Sequence, residues 1–88
     1  MKSANYLVPH CSTPPQTTMA GVCLGTITTL MALGPYLPAA VRSCRPDGVT
    51  PNQGIQVALA YIGRKPERMH EDFRMLAMEA FKAAWPCR

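Results

Sequence analysis

Four cysteines in a chain of 88 residues constrain this sequence more than any other feature. A chain of this length buries too little surface for a large hydrophobic core, so an additional constraint on the fold is expected. Zinc sites usually bring their ligands in close pairs such as C-x-x-C, and no such pair is present. The even number therefore predicts two disulfides and an oxidising compartment. The four positions are Cys11, Cys23, Cys44 and Cys87.

Prolines and glycines divide the chain into four segments, each of which predicts a helix. A helical turn is expected within residues 4–10, a helix from Thr17 or Thr18 to Leu33, and a last helix from near Pro66 or a few residues later to residue 85. A strand is the alternative for residues 22–30. The predicted fold is all-α, a small disulfide-bonded bundle of about four helices. Residues 1–19 would form the short helix and a proline-rich loop, and residues 20–88 the helical domain, in one compact unit.

The third helix has the clearest local signals in the sequence. Thr50 is a good N-cap, Pro51 suits the first helical position, and Gln53 completes a capping box. Gly63 predicts a left-handed C-cap. Gly54, inside the first turn, predicts a close approach by another backbone.

Helix and loop lengths favour one pairing of the cysteines. A proline-rich hairpin would bring Cys11 and Cys23 together, and a bridge from Cys44 to Cys87 would tie the loop before the third helix to the C-terminus. Four cysteines allow three pairings, and the sequence alone leaves all three open. We favour Cys11 with Cys23 and Cys44 with Cys87.

An uncharged stretch from Met19 to Val41 raises the alternative of a membrane span. Its glycines, threonines and prolines favour a buried, disulfide-tethered helix, so no span is expected in the mature chain. The N-terminus lacks the apolar core of a signal peptide. Because disulfides imply export, we expect a mature chain whose signal peptide has been removed.

The charge pattern limits the partners and the chemistry. The formal net charge is +4, but the basic residues are scattered, which argues against nucleic-acid binding. The only histidines are His10 and His70, and no arrangement with a cysteine predicts a nucleophilic site. We therefore expect no catalysis, no metal and no cofactor.

Several stretches, taken in order, resemble the Rap/Tai immunity-protein family. They include CLGTI at residues 23–27, CRPDGVTPNQ at residues 44–53 and WPC at residues 85–87. The resemblance implies an all-helical, disulfide-bonded periplasmic protein without catalytic activity. It also implies a protein partner, a cognate peptidoglycan amidase effector of type VI secretion, whose active-site groove the immunity protein occludes. Homodimers are common in the family.

Two polar turns are the candidate contact surfaces for a partner, because proline or glycine makes each of them rigid. Solvated turns with only local capping roles are the competing interpretation. The candidate residues are Arg45, Asp47, Arg64, Lys65, Glu67 and Arg68.

Two other functions are compatible with the residues. One is a periplasmic envelope or acid-stress chaperone-like protein without a toxin partner, which would expose apolar surface when protonated. The other is a small membrane-anchored subunit that uses residues 19–33 as a span.

Overall fold

The computed structural model describes residues 2–11 and 15–88. Over these residues the chain forms four α-helices and no strand, so the predicted all-α fold is confirmed. The helices are α1 (Ala4–Leu7), α2 (Thr18–Leu33), α3 (Pro51–Gly63) and α4 (Phe73–Ala84). Single 3₁₀ turns occupy Val8–His10, Gly34–Tyr36, Ala39–Val41 and Pro66–Arg68.

The N-terminal segment is docked onto the loop that precedes α4. The backbone N–H of Ala4 donates to the carbonyl of Glu71 at 3.0 Å, and the N–H of Asn5 donates to the carbonyl of Met69 at 2.8 Å. Ala4 and Leu7 are fully buried and belong to the same core cluster as residues of the other three helices. The short helix therefore helps to close the core, although four residues would form no stable helix alone.

Helix α2 begins and ends where the sequence predicts. The side chain of Thr17 accepts from the N–H of Ala20 at 3.0 Å, which satisfies one of the free donors of the first turn. The helix ends at Leu33, where Gly34 starts a 3₁₀ turn. An added Cβ at Gly34 would lie 2.8 Å from the carbonyl oxygen of Ser43, so the close passage of that segment requires glycine. The strand alternative for this segment is wrong.

One segment that includes α2 is long and apolar enough to cross a membrane, judged by length and composition alone. It runs from Thr18 to Tyr36 with a mean hydropathy of 1.4, and 33% of it is buried inside the protein. The buried side of α2 packs against both α3 and α4. Its buried residues are Ala20, Cys23, Ile27, Leu30 and Met31.

Helix α3 has the predicted N-cap, but its two glycines act differently from the prediction. Thr50 Oγ1 accepts from the N–H of Gln53 at 3.1 Å. Gly54 faces side chains and not another backbone, because an added Cβ would collide with Met31 Sδ and lie 3.1 Å from Ile27 Cγ2. The prediction of a left-handed cap at Gly63 is wrong, since Gly48 is the residue with positive φ among those described.

Helix α4 starts later than Pro66, where the prediction allowed it to begin. Pro66–Arg68 forms a separate 3₁₀ turn, and Asp72 then caps α4 by accepting from the N–H of Arg74 at 2.8 Å. An aspartate at this position also complements the positive end of the helix dipole. The helix contributes a third of the core, with Phe73, Leu76, Ala77, Ala80 and Phe81 all buried.

Two disulfides fix the ends of the bundle. Cys11 is bonded to Cys23, which ties the N-terminal segment to α2, and Cys44 is bonded to Cys87. These are the pairs that the helix and loop lengths favour. Next to the second bond, the N–H of Cys44 donates to the carbonyl of Trp85 at 2.8 Å. The loop before α3 is thus held to the C-terminus both covalently and through the backbone.

Candidate partner-binding site

A cluster of charged side chains, which we call the Arg68 clamp, fixes the turn between α3 and α4. Arg68 donates to both carboxylate oxygens of Glu71 at 2.8 Å and to both carboxylate oxygens of Glu79 at 2.6 and 2.7 Å. The hydroxyl of Tyr61 also donates to Glu79, at 3.1 Å. The clamp therefore joins α3, the 3₁₀ turn and the middle of α4 in one hydrogen-bonded unit.

The clamp keeps its carboxylates ionised. Hydrogen bonds from Arg68 lower the pKa of Glu71 and are also the main cause of the lowered pKa of Glu79. The reciprocal bonds raise the pKa of Arg68 above its usual range. Burial, followed by the hydrogen bond to Glu79, raises the pKa of Tyr61. The unit is consequently formed at neutral pH, with the phenol neutral and the guanidinium charged.

The turn held by the clamp presents charged side chains to solvent. Arg64 and Glu67 are exposed, and Lys65 is half-buried. The ammonium of Lys65 lies 5.2 Å from the ring centroid of Tyr61, and the guanidinium of Arg64 lies 6.0 Å from it. Consecutive backbone hydrogen bonds make the turn more rigid. The N–H of Lys65 donates to the carbonyl of Ile62 at 2.9 Å, and the N–H of Arg68 donates to the carbonyl of Lys65 at 2.9 Å.

The second candidate turn, residues 45–48, is exposed along its whole length. Gly48 has a φ of 91°, a left-handed conformation that favours glycine. Arg45 lines a small pocket of about 100 Å³ together with Val49 and residues of α2 and α3. The Cys44–Cys87 disulfide holds the start of the turn.

The two candidate turns do not form one surface patch. The turn at residues 45–48 precedes α3, and the turn at residues 64–68 follows it, so the two turns lie at opposite ends of a 13-residue helix. A helix of that length spans about 20 Å. A single small loop of a partner could contact one turn, whereas a large partner would be needed to contact both.

An open groove lies beside α2, away from both turns in sequence. Its volume is about 420 Å³, and it is lined by Val22, Gly25, Thr26, Thr29, Leu30 and Arg74. We call it the α2 groove. Val22 and Met75, which follows Arg74 in the chain, are 36% and 44% exposed. The groove is therefore a largely apolar surface with one cation at its edge.

In the described part of the chain, no group of three or more His, Cys, Asp or Glu side chains is placed to hold a metal ion. All four cysteines are in disulfides. What the arrangement offers is a set of rigid surfaces that a macromolecular partner can contact.

The comparison with protein families gives a match over almost the whole chain. The family model described as Rap1a immunity proteins matches residues 3–87. This chain belongs to the Rap1a immunity protein family. Searches of curated proteins and of solved structures each returned no match. The match includes α1 as well as the three sequence stretches that carry the resemblance.

Membership in the Rap1a family gives the chain an immunity role, and that role implies a toxin partner. Families of immunity proteins are generally non-catalytic. The two disulfides are consistent with an oxidising environment such as the periplasm.

Most of the predicted contact residues of this Rap1a family protein are exposed to solvent. Arg45, Asp47, Arg64 and Glu67 are exposed, while Lys65 is half-buried against Tyr61. Arg68 differs from them, because its side chain is 28% exposed and its donors are engaged within the clamp. Whether any of these residues contacts a toxin stays a prediction.

Two features of this Rap1a family protein were not found by sequence reasoning. Glu71 and Glu79 are not among the candidate residues that the sequence predicts, although both accept from Arg68. Glu71 lies three residues from Arg68, a spacing that only weakly indicates an ion pair. Glu79 lies eleven residues away, and its ion pair depends on the packing of the turn against α4. The α2 groove needed the packing of α2 against α4, which no local pattern specifies.

Proposed function

We propose that this chain is a periplasmic immunity protein that binds and occludes a peptidoglycan amidase toxin delivered by type VI secretion. The family match over residues 3–87 carries the proposal. Two disulfides, one of which encloses half of the chain, support an extracytoplasmic location, where such bonds form and persist. An immunity protein in that compartment would meet a toxin that attacks the cell wall.

The turn at Arg64, Lys65 and Glu67 is the contact surface we favour for the toxin. The Arg68 clamp and the backbone bonds of the turn hold it in one conformation, so little conformational entropy is lost when a partner binds. Two cations on the turn would attract an acidic partner surface and raise the encounter rate. In this proposal Arg68 acts as a positioning residue.

The turn at Arg45 and Asp47 is the second proposed contact. It is exposed and is held at its base by the Cys44–Cys87 bond. Since the two turns lie at opposite ends of α3, a toxin that touches both must span about 20 Å. Occlusion requires no chemistry from this chain, because a rigid surface seated over the active-site groove of the toxin is enough to exclude substrate.

The proposal is tested with the oxidised protein as bait in a lysate of the source organism grown with its secretion system expressed. We expect recovery of an amidase whose cleavage of purified peptidoglycan falls as this protein is added. The variant Arg64→Glu should weaken inhibition, while Arg88→Glu makes the same charge change at the C-terminus and should have no effect. An amidase that remains fully active in the presence of excess protein would contradict the proposal.

The chain can perform this role as a monomer or as a homodimer. Light scattering on the purified protein, alone and with the amidase, determines which state binds.

A further inference from the structure

We propose that the α2 groove is a second toxin-binding surface, which receives an apolar segment of the partner that carries a carboxylate. This inference rests on the proposed function, since it names the chemistry of a segment of that partner. The groove is about 420 Å³ in volume and open to solvent. Val22 and Leu30 on α2 and Arg74 on α4 are among its lining residues.

The glycines of α2 indicate that the groove accommodates something other than this chain. Glycine inside a helix is unfavourable relative to alanine, so it usually has a packing reason. Gly34 and Gly54 have such a reason, because an added Cβ would meet Ser43 or Met31. At Gly21 and Gly25 an added Cβ would meet no atom within 4 Å. The bare backbone at Gly25, in the groove wall, therefore allows a partner to approach closely.

The apolar surface of α2 also indicates that the groove accommodates a partner. The segment Thr18–Tyr36 has a mean hydropathy of 1.4, yet 33% of it is buried. Val22, in the groove lining, is exposed to solvent. Contact with an apolar partner segment would remove this surface from water.

The charges of the groove favour a carboxylate on that segment. Among the described residues that line the groove, Arg74 is the one that carries a charge, and its side chain is 50% exposed. Asp72 accepts from its Nε at 3.1 Å and from its Nη2 at 2.9 Å, which fixes the orientation of the guanidinium. Among the described residues, these bonds leave the Nη1 edge available to a further carboxylate, and a planar guanidinium binds carboxylates well.

A second copy of this chain fits the groove less well than a foreign acidic segment. The chain carries five acidic residues against nine basic ones. Three of the five are already bonded to arginine: Glu71 and Glu79 to Arg68, and Asp72 to Arg74. A second copy of the chain therefore has few free carboxylates with which to pair the remaining edge of Arg74.

The test uses Gly25→Leu, which fills the groove, with Gly63→Leu as the matched control. Position 63 also has open space for a side chain, but it lies at the end of α3. Leucine is a better helix former than glycine, so Gly25→Leu should raise the melting temperature. We expect its calorimetric affinity for the amidase recovered by the bait experiment to fall by about tenfold or more, as for a central interface position. Gly63→Leu should bind like the wild type.

A second arm needs no toxin. A random peptide library displayed on phage is selected on the immobilised wild-type protein, with Gly25→Leu as counter-selection. We expect enriched peptides that combine aliphatic residues with Asp or Glu and that lose binding to Arg74→Gln. If no enriched peptide depends on Gly25 for binding, or if the enriched peptides are basic, the proposal that the groove binds an acidic segment is wrong.

The outcomes separate the two proposals. If the amidase is inhibited equally by the wild type and by Gly25→Leu, the proposed function stands and the groove proposal fails. If no amidase is recovered but acidic peptides depend on Gly25, the groove binds acidic apolar segments, and both the proposed function and the assignment of the groove to a toxin fail. Loss of a wild-type dimer in Gly25→Leu, or loss of binding to phosphatidylglycerol vesicles, would assign the groove to a second copy or to a bilayer and overturn the proposal.

Discussion

Arg68 and Glu79 form a bidentate ion pair, with guanidinium-to-carboxylate distances of 2.6 and 2.7 Å, across eleven positions of the chain. The pair connects the 3₁₀ turn after α3 to the middle of α4. Because Glu71 shares the same guanidinium, the path of the turn is determined by side chains as well as by its backbone. A residue that the sequence places on a contact surface is thus an internal support for that surface.

Removal of the guanidinium should destabilise the protein and weaken partner binding together. Arg68→Met keeps the aliphatic part of the side chain but leaves Glu71 and Glu79 without their main donor, so we expect a lower melting temperature. The measurement is thermal unfolding followed by circular dichroism. Arg64→Met, on the exposed part of the same turn, is the control and should melt like the wild type. Equal melting of the two variants would show that the clamp adds no stability.

The clamp predicts a loss of stability in acid. Glu71 and Glu79 have pKa values below the ordinary 4.5, so they contribute stability that is present above that pH. This contribution is lost as the pH falls through their lowered pKa values. We expect the gap in melting temperature between the wild type and Glu79→Gln to be largest near neutral pH and to close as the pH falls through the lowered pKa of Glu79. A gap that widens in acid would contradict the assignment.

The same titration addresses the acid-stress alternative. A chaperone-like protein would bind unfolded client proteins once acid had loosened its core, and would not bind them at neutral pH. An immunity protein of the proposed kind should inhibit its amidase at neutral pH, where the clamp is formed.

The helices could be predicted from the sequence because their ends are marked by local chemistry. Thr17 and Thr50 act as N-caps through their own hydroxyls, and Leu33 is followed by a Gly-Pro pair that ends the helix. The start of α4 was harder to predict. Pro66 and Asp72 can each begin a helix, and the docking of the N-terminal segment on residues 69–73 determines that Asp72 is the cap.

The glycine in the first turn of α3 gives a stability prediction with a matched control. Gly54→Ala would push a methyl group against Met31 and Ile27, so we expect the free energy of unfolding to fall by about 1 to 3 kcal/mol. Gly63→Ala has open space and should change it by less than about 0.5 kcal/mol. Urea unfolding measures both. Equal stabilities would mean that the gain in helix propensity from alanine offsets the cost of moving Met31.

The Cys44–Cys87 bond should contribute a large share of the stability. It closes a loop of 43 positions, for which the chain-entropy account gives about 4 kcal/mol. The double variant Cys44→Ser, Cys87→Ser should therefore melt well below the wild type. Its free energy of unfolding should be close to zero, because a domain of this size is only marginally stable. Melting unchanged from that of the oxidised wild type would show that the loop is held by its other contacts.

The candidate site could be predicted only in part. The exposed turns were predictable because proline and glycine mark them in the sequence, as Pro66 and Gly48 do. The Arg68 clamp and the α2 groove depend on which faces of α2, α3 and α4 meet. Glu79 meets Arg68, and Arg74 reaches the edge of the groove, only after α4 has packed.

The most direct test of the immunity role measures the release of peptide fragments from purified peptidoglycan by the amidase that the bait experiment recovers. The oxidised protein is titrated into the reaction at a fixed amidase concentration, with heat-denatured, reduced protein as the control. We predict that cleavage falls to background at a fixed ratio of protein to amidase, and that the control has no effect. Cleavage that continues at the full rate with the folded protein in excess would contradict it.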